Sequence, residues 1–399
     1  MRQVLLTVVA FVLCFTQIAL AVEKKVLEDI PPTLPAAVSN NVKNLFSQNP
    51  ATRAQSAKSI RNYNDKRTIT FLYSIIDDTS SLKWSSNPLS GGVLMVGDIR
   101  TTPGIEALIS IWKIGKEEEL AKIRGIYQAN ESRAINTNII QAMRGIDSNK
   151  ASRFLADVIK KELEEKDKQY WRIEAAILTL KYKSDDFATN TLVGYTNYVD
   201  DEYVRKKAIY ALLSSSNVRD SGIINKVMEK SLLDDSVNIR NSAAFYLPII
   251  NSRELLPLTR QLLTTEKDER ILESLIQAVK NIEDKDSVDV LLGLLESSST
   301  RIRSNAAYAL GAINDKKAVT PLISQLGKEK EDKVRCAIAK ALGNMKSKLA
   351  IEPIIMATKV SGNKGYMQYE GPKALKSITG QDFEYDLKRY EQWWDQNKE

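Results

Sequence analysis

One stretch of this chain comes round again: RSNAAYALGAINDKKAVTPL at 303–322 is followed 32 residues later by RCAIAKALGNMKSKLAIEPI at 335–354. A fixed period of this length constrains a fold more than composition does. Each unit is one supersecondary element that cannot bury its apolar face alone and must stack on copies of itself. Within Val334–Met345 the apolar residues are Val334, Ala337, Ile338, Ala341, Leu342 and Met345, a spacing that draws a single stripe along a helix. The small alanines in that stripe let neighbouring helices approach closely. A polar turn follows, then a second short helix that opens near a proline, since Pro257, Pro321 and Pro353 each precede an aliphatic residue. Proline is tolerated in a first helical turn because its missing N–H has no partner there to lose.

Slid along the chain, this template anchors repeats at Arg53, Leu89, Asn136, Arg172, Arg205, Arg240, Leu272, Arg303 and Arg335, in steps of 36, 47, 36, 33, 35, 32, 31 and 32 residues. The turn recurs too, as Tyr63-Asn64-Asp65 early and Ile313-Asn314-Asp315 late. Nine units, ten with the C-terminus, predict an all-α, right-handed superhelix of helical hairpins over 51–362. The long step leaves room for an extra helix around Glu117–Tyr127, and Ser85–Gly92 reads as a loop before the second repeat's inner helix.

The pattern VRxxAxxALG, then a turn and xPL, resembles the HEAT repeat in its short, phycobilisome-lyase-like form, most strongly at 200–355. Ankyrin units share the period and the Thr320-Pro321-Leu322 string, but their following histidine is impossible in a chain with no histidine. The resemblance implies an armadillo-like α-solenoid whose first helices line a concave surface. It also implies a stacked ladder of Asp and Arg between repeats, carried here by Asp201, Arg205, Asp235, Arg240, Arg303, Asp332 and Arg335. Independently of any family, Asp is a favoured N-cap, and its charge suits a helix N-terminus. The segment Ser377–Phe383, leading to Trp393-Trp394, looks like the tail of bacterial HEAT-repeat proteins, with Glu384 where a glycine is more usual. Residues 363–399 are read as the cap that keeps the last apolar face out of water, and 22–50, with Pro31-Pro32 and Pro35, as a stiff lead-in.

The first 21 residues carry one charge, Arg2, then an apolar run from Val4 to Phe15, then Ala19-Leu20-Ala21. This is the pattern of a secretory signal peptide with an A-x-A cleavage site, too short and wrongly flanked for a membrane span. The expected product is an exported protein, periplasmic or extracellular and of bacterial origin. Cys14 leaves with the signal, so Cys336 stands alone and no intramolecular disulfide forms. Without Arg2 the chain holds 56 basic against 50 acidic residues, but unevenly placed: 301–364 has 13 Lys or Arg against 5 acids, and 254–299 has 10 acids against 5 bases.

Zero histidines is the sharpest chemical constraint. It removes Ser-His-Asp and Cys-His catalysis, HExxH zinc sites and imidazole acid–base work. No Walker loop or GxGxxG fingerprint is present. Adjacent acids at Asp77-Asp78, Asp185-Asp186, Asp200-Asp201 and Asp234-Asp235 read as helix caps. No catalytic, cofactor-binding or metal-binding residue is therefore expected, and no cofactor. What remains is a binding surface. Counted from each anchor, positions one, five and eight share a helix face, and position five reads Tyr210, Phe245, Gln277, Tyr308 and Lys340. Aromatics on such a face anchor peptides or protein loops; equally, they pack against neighbouring helices. The expected function is an exported, non-enzymatic scaffold that binds a protein or peptide partner on its concave face. A lyase-like or other enzyme is the alternative that the repeat subtype suggests. Nucleic-acid binding fits the basic 301–364 stretch but not export.

Overall fold

The computed structural model describes residues 29–78, 102–147, 149–218, 220–361 and 365–398. The signal segment 1–21, Cys14, the anchor Leu89 and the Ser85–Gly92 loop lie outside the described residues. Every regular element among the described residues is a helix, and the helices form hairpins stacked as an all-α, right-handed solenoid. The chain divides into two compact units, 1–195 with 214–218 and 196–213 with 219–399.

Unit one carries α1 (Ala36–Asn44), α2 (Pro50–Ile60), α3 (Ile69–Tyr73), α4 (Pro103–Ala129), α5 (Arg133–Ala142), α6 (Asn149–Glu164), α7 (Tyr170–Leu180) and all but the last residue of α8 (Asp186–Thr196). Lys116, at φ 55° and ψ −136°, breaks α4 into two helices. The second half, from Glu117 on, is the extra helix for which the long step left room. The hairpin's first helix is the other half, opening at Pro103 behind Thr102, whose hydroxyl accepts from the Ile105 N–H at 3.2 Å. A capping threonine followed by proline at the first helical position is a start signal that the repeat template passed over. Buried hydrogen bonds hold the layers together: Ser110 Oγ donates to the Ala57 carbonyl at 2.7 Å, and Asn138 Nδ2 to that of Ile76 at 2.8 Å.

Unit two carries α9 (Glu202–Leu213), α10 (Ser221–Leu232), α11 (Val237–Ile250), α12 (Leu256–Thr265), α13 (Glu269–Ile282), α14 (Val288–Leu294), α15 (Thr300–Ile313), α16 (Val319–Lys328), α17 (Asp332–Asn344), α18 (Ile351–Ser361), α19 (Met367–Thr379) and α20 (Leu387–Asn397). Its core is built from the predicted stripes. Val334, Ala337, Ile338 and Leu342 are wholly buried, with Ile302, Ala306, Ala307 and Leu310 on the preceding first helix. The glycine of the Ala-Leu-Gly motif has a packing reason. A Cβ on Gly311 would sit 2.5 Å from Ala341 Cα, and one on Gly343 would sit 3.0 Å from Ala374 Cα. Backbone-to-backbone approach is what each motif glycine permits.

The recurring turn is also explained. Asn64, Asn251 and Asn314 sit at φ 50°, 55° and 57°, the left-handed conformation that ends a helix, and Asn tolerates it better than most residues. The aspartate that follows Asn64 or Asn314 then caps the next turn: Asp65 accepts from the Arg67 N–H at 3.0 Å and Asp315 from the Lys317 N–H at 2.9 Å. Glu283, Lys346 and Glu384 adopt the same conformation at φ 56°, 49° and 54°. Glu384 thus makes the left-handed turn for which glycine is usual. Behind it, Tyr390 is buried on α20 and donates to the Gln381 carbonyl at 3.0 Å, while Trp393 and Trp394 pack half-buried against the core of unit two.

Three substitutions test this packing by chemical denaturation. Gly311→Ala forces two backbones apart and is expected to cost about 1–3 kcal/mol. Gly293→Ala, whose new Cβ meets nothing within 4 Å, is expected to stabilise by about 0.5 kcal/mol. Lys346→Gly relieves a left-handed lysine and is expected to gain about 1 kcal/mol.

Candidate functional site

The recurrent arginines lie in the first turn of the first helices, and four of them, Arg53, Arg205, Arg240 and Arg303, make a two-way clasp, while Arg172 pairs with the preceding Glu162 at 2.7 Å. Arg303 Nη1 donates to the carbonyls of Ser297 and Ser298 at 2.9 and 3.2 Å, while its Nε and Nη2 grip Glu329 at 2.8 and 2.9 Å. Arg240 holds the carbonyls of Asp234 and Asp235 at 2.9 and 3.0 Å and Glu266 at 2.8 Å. Arg205 holds the carbonyls of Tyr198 and Val199, both at 3.0 Å, and its Nε lies 3.3 Å from Asp234. In unit one Arg53 repeats the pattern with the carbonyls of Ser47 and Gln48 and with Asp78 at 2.5 Å. Asn136 keeps one half of it, donating to the Asn130 carbonyl at 2.8 Å.

The paired acid is therefore not the one expected from sequence at Arg205 or Arg240. Asp201 caps its own helix through the Val204 N–H at 3.2 Å, and Asp235 offers Arg240 its carbonyl oxygen. The carboxylates gripped are Asp234, Glu266 and Glu329, from the loop that leads into the next first helix. Asp201 and Asp235 stand at the start of the same helix as their arginines and are used there. Arg335 does meet Asp332, at 3.2 Å, and Asp332 also accepts from Ser361 Oγ at 2.8 Å and from the Met367 N–H at 3.3 Å. Burial alone would raise the carboxyls of Glu266 and Glu329. Their arginines and the N–H groups of the following loop outweigh it and hold both below the ordinary glutamate value.

The other acid pairs have structural partners. Asp78 serves Arg53, and Asp185 caps α8 through the Ala188 N–H at 3.0 Å while accepting from Ser152 Oγ at 2.5 Å. Among the described residues no group of three or more His, Cys, Asp or Glu is placed to share a metal ion. Cys336 is buried, and burial pushes its thiol up to about 12, so it is an unreactive core group at neutral pH.

The position-five column comes together in one place. The first helices α11, α13, α15 and α17 line a groove of about 700 Å³ that includes Phe245, Gln277, Tyr308 and Lys340. Tyr210 is half-buried on α9 and is not part of the groove's lining. Phe245 and Ile249 are 63% and 64% exposed, and Tyr308 39%. Phe245 is steadied edge-on against Tyr246 at 5.3 Å, and Lys340 Nζ lies 5.5 Å from the Tyr308 ring. Gln277 donates to Asn281 at 2.5 Å, and Asn281 reaches the Pro248 carbonyl at 3.1 Å, lacing α13 to α11. Sequence reasoning missed the column one helical turn further on, Ile249, Ala312 and Asn344, which lines the same groove. The i,i+4 rule that groups position five with position one reaches it equally.

The family model for HEAT repeats matches residues 291–363. Among solved structures, Kap95p, whose binding induces the switch loops of RanGDP to adopt the GTP-bound conformation, superposes with a TM-score of 0.51 at 12% identity over 86% of this chain and 50% of its own. The fold is that of HEAT and armadillo repeats. Importin beta is similar with a TM-score of 0.49 at 12% identity, over 87% of this chain and 54% of its own. The Escherichia coli protein YibA matches with a TM-score of 0.46 at 16% identity, over 67% of this chain and 97% of its own. This chain spans about half the length of the importin beta and Kap95p chains. No curated protein matches the sequence. Among the described residues no helix is long and apolar enough to cross a membrane.

The clasps make stability acid-sensitive in a predictable direction. A carboxyl held below its unfolded value contributes stability above that value and loses it as pH falls through the folded one. Unfolding midpoints are expected to drop as pH falls below the ordinary glutamate value of 4.5. At pH 7, Arg303→Ala strands Glu329, whose side chain is 3% exposed, and is expected to cost about 3–5 kcal/mol. The Arg303→Met/Glu329→Leu double variant is expected to recover most of that and to show a flatter acid limb.

Proposed function

We propose that this HEAT-type chain is an exported, non-enzymatic scaffold that seats a segment of a protein partner across its first-helix groove. The observation that carries this reading is the pairing of exposed Phe245, Ile249 and Tyr308 in one groove. A soluble fold with no other use for them would turn such groups inward, whereas large apolar side chains rimmed by polar ones mark interaction sites. Repetition supports it as well: four successive units present side chains to one groove, the arrangement by which solenoids bind extended ligands. The short form of the repeat belongs to the same reading, supported by steps of 31–36 residues from Asn136 onward. Export rests on the composition of residues 1–21, with its single charge, apolar run and Ala19-Leu20-Ala21. A non-enzymatic role is supported by the absence of histidine and by the structural duties of Asp78, Asp185, Asp234, Glu266 and Glu329.

A photo-crosslinking residue placed at position 245 in the native cell envelope is expected to capture one protein reproducibly. Phe245→Ala with Tyr308→Ala is expected to weaken binding to that protein tenfold or more and to lower stability by less than about 2 kcal/mol, since both rings are already partly in water. A double variant that loses more stability than that and still binds its partner would show that the rings pack the fold instead.

A further inference from the structure

The groove carries a pattern that specifies its occupant more closely. Successive first helices offer alternating chemistry: α11 presents the apolar Phe245 and Ile249, α13 the cation Lys280, α15 the ring of Tyr308, and α17 the cation Lys340. The one carboxylate in the lining, Glu273, is ion-paired with Arg301 and accepts from Asn305 Nδ2 at 3.4 Å. No ion pair with a described residue engages Lys280 or Lys340. The groove therefore faces its occupant with two uncompensated positive charges between and beside its apolar anchors.

Neighbouring packed helices lie about 9 Å apart, and an extended chain advances about 3.4 Å per residue, so each step along the groove takes about three residues. Resting on the scaffold reading above, we infer that the groove selects an extended, acidic peptide segment of a partner protein in which apolar and acidic side chains alternate at about three-residue spacing. Four helices then read about eight to ten residues. Apolar side chains of the segment meet Phe245 with Ile249, and Tyr308. Its carboxylates meet Lys280 and Lys340. The amides of Asn305 and Asn344 at the groove lining are placed to pair with main-chain N–H and C=O groups, which an extended segment exposes. Lys340 above the Tyr308 ring fits the scheme, because a carboxylate drawn to the ammonium leaves the ring face to the neighbouring apolar side chain.

The test is selection of a random dodecapeptide phage library on the purified full chain, followed by fluorescence anisotropy of the most enriched peptide. Enriched sequences are expected to be net acidic with apolar residues about three positions from each acid. Affinity is expected to fall at least tenfold on Lys280→Glu/Lys340→Glu and severalfold on the milder Lys280→Gln/Lys340→Gln, with wild-type binding weakening as salt rises. Neutral or basic enriched peptides that lose affinity on Phe245→Ala/Tyr308→Ala but bind both lysine variants like wild type would overturn this inference and leave the scaffold reading standing. Enrichment of nothing, or of peptides indifferent to Phe245→Ala/Tyr308→Ala, would overturn the scaffold reading itself.

Discussion

At Arg53, Arg205, Arg240 and Arg303 successive hairpins are tied by one polar device, a guanidinium that holds two carbonyls behind its own helix and a carboxylate ahead of the next. Arg240 shows why the residue must be arginine. Its Nη1 serves the carbonyls of Asp234 and Asp235 while Nε and Nη2 serve Glu266. Lysine, a point charge with three donors on one atom, cannot face both directions at once. Asp234 links two clasps, since its carboxylate lies 3.3 Å from Arg205 and its carbonyl receives Arg240 at 2.9 Å. Apolar stripes supply the bulk of the burial but are tolerant of sliding. The clasp fixes which loop meets which helix, and so the register of the stack.

That division of labour frees one face of each first helix. Core contact is made by the stripe and by the motif glycines, where Gly311 lies against Ala341 and Gly343 against Ala374. Loop registration is made on α11 and α15 by the arginine in the first turn, Arg240 and Arg303. Position five and the position one turn further on serve neither, so they vary: Phe245, Gln277, Tyr308 and Lys340, then Ile249, Ala312 and Asn344. A helix that is constrained on one side and at its start, and unconstrained on the other, is a surface on which specificity can be written without cost to the fold.

The hairpin architecture was legible because its causes are local. Apolar spacing, Asn-Asp turns and early prolines each act within a few residues, and they appear in α15–α18 as the template has them. The second hairpin's anchor, Leu89, lies outside the described residues, and the start signal of α4, Thr102-Pro103, is a cap and not a repeat of the stripe. The ladder's acids were missed for the opposite reason. Glu266 and Glu329 meet arginines 26 residues earlier, and that pairing follows from stacking, which only the fold supplies. The groove stood halfway: its column of residues was countable along the chain, while the exclusion of Tyr210 and the inclusion of Ile249 depend on how far each helix turns against its neighbours.

Charge distribution along the sequence and charge on the groove prove to be different quantities. Residues 254–299 are acid-rich, with 10 acids against 5 bases, and α13 lies within them, yet the groove they help to line is not acidic. Several of those acids are committed before the surface is reached: Glu266 to Arg240, Asp268 to the start of α13, Asp284 to Arg260 and Glu273 to Arg301. Lys280 lines the groove, and Lys340 joins it from the basic stretch that follows. Net charge counted by segment therefore reports how many ions the stack consumes internally as much as what a partner meets. Only after the clasps and caps are subtracted does the remaining field acquire a sign, and in this groove that sign is positive.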